Sequence, residues 1–137
     1  MILLSVNPPY AGLLVDGIKT VEWRKKPLPT WPPVRWPQKP KVLDPLHVFI
    51  YETAHNGGCG MVIGDVEMNA TFVFDDFDDI PAEFIERGYY DEYLLRWCIQ
   101  RDGQIYASVI SKSKRFNYPV QLSELGVKRP PQSWYFL

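Results

Sequence analysis

The sequence predicts an α+β domain, and three observations predict it. Short runs of apolar, β-branched and aromatic residues recur along the chain, at residues 2–6, 20–24, 46–52, 61–67, 70–74, 104–110 and 116–122. Between them lie helix-like stretches, one following Asn7 and two at residues 81–87 and 91–100. The 137 residues are 46% apolar and 15% aromatic, which suits one globular domain spanning 1–137 with a single core. No apolar run approaches the ~20 residues of a membrane helix, and no charged-then-apolar leader opens the chain. Cys59 and Cys98 make no disulfide framework, so a reducing cytoplasmic setting is expected.

Taken in order, residues 2–6 (ILLSV) read as the opening strand. A helix follows, for which Asn7 is a good N-cap, Pro8 suits the first turn, and Gly17 can take the left-handed conformation that stops it. Residues 20–24 then alternate as a strand, with Thr20, Glu22 and Arg24 on one face and Val21 and Trp23 on the other. Residues 25–45 hold seven prolines, which exclude a helix or a central strand. Connections in compact domains have a median of about 4–6 residues, and ones this long are often functional. Residues 46–52 form an apolar strand, and Asn56-Gly57 is a hairpin signal leading into residues 61–67 and 70–74. An acidic turn, Asp75 to Asp79, precedes two helices broken at Gly88. Strands at 104–110 and 116–122 come next, and Trp134 to Leu137 must pack back on the domain or stand as an exposed apolar tail.

The stretch with chemical content is Gly17-Ile18-Lys19-Thr20-Val21-Glu22-Trp23-Arg24. Three polar side chains on one strand face are either solvated, as a surface Glu/Arg pair, or gathered into a site. Lys19 falls between helix stop and strand. In an apolar cleft it could be a base or nucleophile, whereas in water it stays a cation.

Gly17, Lys19, Glu22 and Arg24 fit the pattern G-x-K-x-x-E-x-R, which resembles the signature of the ASCH domain family, a branch of the PUA-like superfamily. The likeness extends to residues 2–6 and the helix after them, to residues 48–52 and 62–66, and to the terminal R-P-P-Q-S-W at 129–134. It implies a PUA-like small mixed β-barrel with flanking helices and a cleft beside the motif. It also implies binding of RNA or a nucleotide, or, in one branch, hydrolysis of N4-acetylcytidine. In that branch the matching lysine works with a residue three positions on and with a glutamate from the later helical segment. Carried over, these are Lys19, Glu22 and Glu86, with Glu83 the alternative for the last. The branch has a threonine where this chain has Glu22. As a binding site, Lys19 and Arg24 could instead set their cations on phosphate and Glu22 accept from a base amino group, with Trp23 on the same strand and no metal or cofactor expected.

The proline-rich segment supplies candidate walls. Trp31 and Trp36 are interleaved there with Lys25, Lys26, Arg35, Lys39 and Lys41, an arrangement that suits base stacking and phosphate contact. Equally, both indoles could cap the core. Net charge is −1, which argues against a bulk electrostatic nucleic-acid binder, but the charge is unevenly spread. Residues 1–41 carry +5, residues 42–102 carry −10, and residues 103–137 carry +4.

Other constellations are weaker. The Asp75 to Asp79 run lacks the glycine and distal glutamate of a calcium loop, and reads as a solvated turn before a helix. His55 and Cys59 have no second ligand pair for zinc. No nucleophile elbow, phosphate loop or dinucleotide fingerprint is present, and neither His47 nor His55 is placed for a serine triad. Three functions follow: RNA or nucleotide binding at the motif, an amidohydrolase acting on a modified pyrimidine nucleoside, and a protein-interaction module using the tryptophan-bearing loop. Electrostatics favours binding, because Glu22 beside Lys19 should hold the ammonium charged. Substitution of Lys19 or Arg24 by alanine should then cost affinity and leave thermal stability nearly unchanged.

Overall fold

Five consecutive buried residues, Ile2–Val6, open the chain as β1, the burial expected of a strand covered on both faces. The computed structural model describes residues 1–29, 32–40 and 44–137. These form two compact units, one of Met1–Ile18, Leu46–Met68 and Ser111–Leu137, the other of Lys19–Pro45 and Asn69–Ile110.

In the first unit β1 pairs in parallel with β4 (Leu46–Glu52), Ile2 opposite Val48. On its other side it pairs antiparallel with β7 (Trp134–Phe136), Leu4 opposite Trp134. The terminal aromatics are thus tied into the sheet, as their apolar character requires. β4 turns back into β5 (Met61–Phe74), Glu52 opposite Met61. The turn carries Asn56 at φ 50° and Gly57 at φ 81°, the positive pair that the Asn-Gly dipeptide favours. Strand order in this unit runs β5-β4-β1-β7.

Helix α1 (Tyr10–Val15) starts later than the sequence suggests, and Asn7 is not its cap. The Asn7 side chain instead accepts a 2.6 Å hydrogen bond from the Thr53 hydroxyl, and the Thr53 N–H donates to Val6. The parallel β1–β4 pair brings Thr53 to Asn7 and takes the side chain away from the helix. Gly17, at φ 75°, ends α1 as expected: Ile18 N–H reaches back to Leu13 and Gly17 N–H to Leu14, closing a Schellman motif.

In the second unit β2 (Val21–Arg24) pairs antiparallel with β6 (Ile105–Val120), Trp23 opposite Ala107. A two-residue strand in the proline-rich segment, β3 (Val34–Arg35), lies parallel to β5 at Phe72 and Val73. Strand order here is β2-β6-β5 with β3 on β5. Helices α2 (Ala82–Gly88) and α3 (Glu92–Asp102) follow, α3 capped by the Asp91 carboxylate accepting from Leu94 N–H at 2.7 Å. Val21, Trp23, Phe72, Phe74, Phe84 and Leu95 lead the core of this unit.

The four short strand signals at 61–67, 70–74, 104–110 and 116–122 prove to be two long strands, β5 of 14 residues and β6 of 16. Polar residues that read as breaks, such as Asn69 in β5 and Ser111 to Arg115 in β6, stay in extended conformation with mostly exposed side chains. No described helix is long and apolar enough to cross a membrane.

Candidate functional site

The motif strand is covered on both faces. Val21 is fully buried, Glu22 is 4% exposed and Trp23 2% exposed, so the solvated-face alternative fails. Two contacts hold the strand to the end of α2. Thr20 N–H donates to the Arg87 carbonyl, and the Arg87 Nε donates back to the Thr20 hydroxyl at 2.6 Å.

Lys19, just ahead of β2, is completely enclosed. Its Nζ donates to the Val21 carbonyl at 2.7 Å and to the Gly88 carbonyl, and sits 3.5 Å from Glu22 Oε1. The Tyr90 ring lies 5.4 Å from the same nitrogen. Glu22 in turn accepts on Oε2 from Arg24, at 3.1 Å from Nε and 2.9 Å from Nη2. Two basic side chains therefore share one buried carboxylate in this trio. Arg24, with its side chain 21% exposed, is the member that reaches solvent.

Burial is the largest influence on Lys19 and lowers its pKa, because a charge without water is disfavoured. Glu22 opposes this, and Arg24 adds to it. The expectation that Glu22 would raise the pKa has the sign of its own contribution right, but desolvation outweighs it. Lys19 is among the largest fully buried side chains, so burial argues that Lys19→Ala costs stability, against the expectation from sequence.

Trp23 belongs to the core and not to a ligand wall. It packs at a tilt on Phe74, ring centroids 6.2 Å apart, and so close to α2 that a Cβ on Gly88 would lie 2.0 Å from its Nε1. Glu86 is exposed on α2, as is Glu83. The helical segment does reach Lys19, but through the Gly88 carbonyl, and the carboxylate beside Lys19 is that of Glu22.

Arg35 is exposed and pairs with Asp75 at 2.7 Å. Trp36, 38% exposed, sets its ring edge-on to Phe72 and Phe84, each at 5.3 Å, and so caps the core of its unit. These partners of Arg35 and Trp36, namely Asp75, Phe72 and Phe84, are not members of the trio. Trp31 lies outside the described residues.

Trp97 is what sequence reasoning missed. Helical spacing groups it with the apolar residues of α3, yet it is 41% exposed and has Lys25 and Arg101 at its ring. Its separation of four residues from Arg101 was the available signal. A groove of about 740 Å³ in the first unit, lined by residues such as Cys59, Met61, Leu122 and Lys128, contains none of the motif residues.

No family model and no curated protein matches this chain. Solved structures do. The crystal structure of ASCH from Zymomonas mobilis is 23% identical, with a TM-score of 0.75 over 99% of this chain and 86% of that one. A tyrosine-to-phenylalanine variant of the Zymomonas mobilis protein gives 22% identity and a TM-score of 0.75, covering 99% of this chain and 88% of that one. A serine-to-alanine variant gives 21% and 0.71, covering 99% and 87%. At this identity the likeness speaks for the fold, and it agrees with the motif, the helix stop and the strand that carry the resemblance in the sequence. The chain has the fold of an ASCH domain, the α+β PUA-like fold.

Proposed function

We propose that this protein binds RNA or a nucleotide-like ligand at the solvent end of the Lys19–Glu22–Arg24 trio. The observation that carries the reading is that Glu22, buried and bonded to both cations, holds the Arg24 guanidinium in one orientation. A fixed guanidinium is a good partner for phosphate, because less side-chain freedom is lost on binding. Lys19 serves as the inner charge that keeps Glu22 in place. Nucleotide binding should weaken about tenfold in Arg24→Ala, the scale of one hydrogen bond to a charged group. Anisotropy of a labelled nucleotide measures this; affinity unchanged in a folded Arg24→Ala protein would rule the site out.

A second reading, an amidohydrolase acting on N4-acetylcytidine, draws on the lowered Lys19 pKa and on Glu22 at 3.5 Å. An amine with a depressed pKa is a better base and nucleophile. Against it stand the enclosure of Nζ and its engagement by two backbone carbonyls. Cytidine released from N4-acetylcytidine by the protein, and not by Lys19→Met, would place this reading first.

A further inference from the structure

The exposed side of α3 holds an arrangement that the motif does not explain. Tyr93, Trp97 and Arg101 are spaced four residues apart and so share one stripe of the helix. Tyr93 is 80% exposed and Trp97 41%, while Leu95 and Cys98 are the helix's buried positions. Two cations lie over the Trp97 ring, Lys25 Nζ at 5.3 Å from its centroid and Arg101 Cζ at 5.1 Å, so a base stacking there would take the place of one of them. Lys25 directly follows Arg24, so the cation at Trp97 and the solvent end of the trio are consecutive in the chain. Of the acids of this helix, Asp91 caps Leu94 and Glu92 pairs with Arg96 at 2.9 Å, while Asp102, 3.8 Å from Arg101, competes with phosphate for that cation.

We propose that this face of α3 is a stacking platform for single-stranded RNA, taking successive bases on Trp97 and Tyr93 and backbone phosphates on Lys25 and Arg101. The proposal rests on nucleotide binding at Arg24 and extends that site from one nucleotide to a strand. Four residues of helical rise separate the two rings by about 6 Å along the axis. That is nearly twice the per-nucleotide repeat of about 3.4 Å in a stacked strand, so the platform suits an unstacked strand with splayed bases. Stacking on aromatic rings tolerates any base, and the adjacent cations supply the attraction for phosphate that two bare rings would lack. The same cations favour RNA over an apolar protein partner.

The test measures end-labelled hexaadenylate and adenosine monophosphate against the full chain. Trp97→Ala should lower hexaadenylate affinity about tenfold, the scale of one stacked base. Adding Tyr93→Ala should lower it further. Both variants should leave monophosphate affinity within about twofold, and Trp97→Phe should keep most of the hexaadenylate affinity, a rescue that a structural role for the indole would not give. Hexaadenylate binding unchanged in the double variant, with monophosphate binding weakened by Arg24→Ala, would overturn the platform, keep the motif site, and leave the α3 face to a protein partner. Monophosphate binding untouched by Arg24→Ala would sink the motif reading, and with it the strand site built outward from it.

Discussion

At Lys19 desolvation and ion pairing oppose each other, and the outcome sets two expectations. Removing one member of a buried charged pair costs about 3–5 kcal/mol, because the other is left uncompensated. Lys19→Ala strips one cation from Glu22 and empties a fully buried volume, so a loss on that scale is expected in urea unfolding. Arg24→Ala, at the exposed end, should unfold at a distinctly higher urea concentration than Lys19→Ala. The second expectation is a pH dependence. Burial sets the folded pKa of Lys19 below its ordinary 10.5. Between the lowered value and 10.5 the unfolded chain binds the extra proton, so stability rises with pH through that window. Below the window both states are protonated and the full cost of burying the charge is present. Urea unfolding of wild type and Lys19→Met at neutral and alkaline pH reads the contribution as a difference. A wild-type gain on alkalinisation no larger than that of Lys19→Met would refute it.

Among the elements, the β2–α2 junction is the tightest constraint. Gly88 closes α2 against the Trp23 indole, where a methyl group would lie 2.0 Å from Nε1, and its carbonyl accepts from Lys19. Gly88→Ala must push helix and strand apart, at about 1–3 kcal/mol for an overpacked core. Because the same shift moves the Gly88 carbonyl, it should also loosen the trio. A thermal melt and nucleotide affinity measured together check this, and a variant with wild-type stability would show that the junction can yield. The α2 and α3 boundaries were nearly readable from sequence, but α2 runs through Gly88, where a break was expected, and its left-handed stop falls on Tyr89. The α1 start was not, because Thr53, 46 residues away, competes for the Asn7 side chain.

On the scale of the whole molecule, a net charge of −1 leaves nucleic-acid binding to local cations. If Arg24, Lys25 and Arg101 each meet a phosphate, log affinity should fall with log salt at a slope of about −2 for a single strand. A salt-independent affinity would point to apolar contacts instead. The sequence by itself determined the α+β class, the helix stop at Gly17, the strand bearing Glu22 and Arg24, and the resemblance to the ASCH signature. These are local properties, written in propensity, turn chemistry and the spacing of a short motif. Only the tertiary structure decided which of those residues are accessible. It enclosed Lys19, put Trp23 in the core, left Glu86 in solvent, and opened Trp97 beside two cations. Burial depends on what packs over a residue from distant parts of the chain, and alternation along a four-residue strand covered on both faces does not encode it.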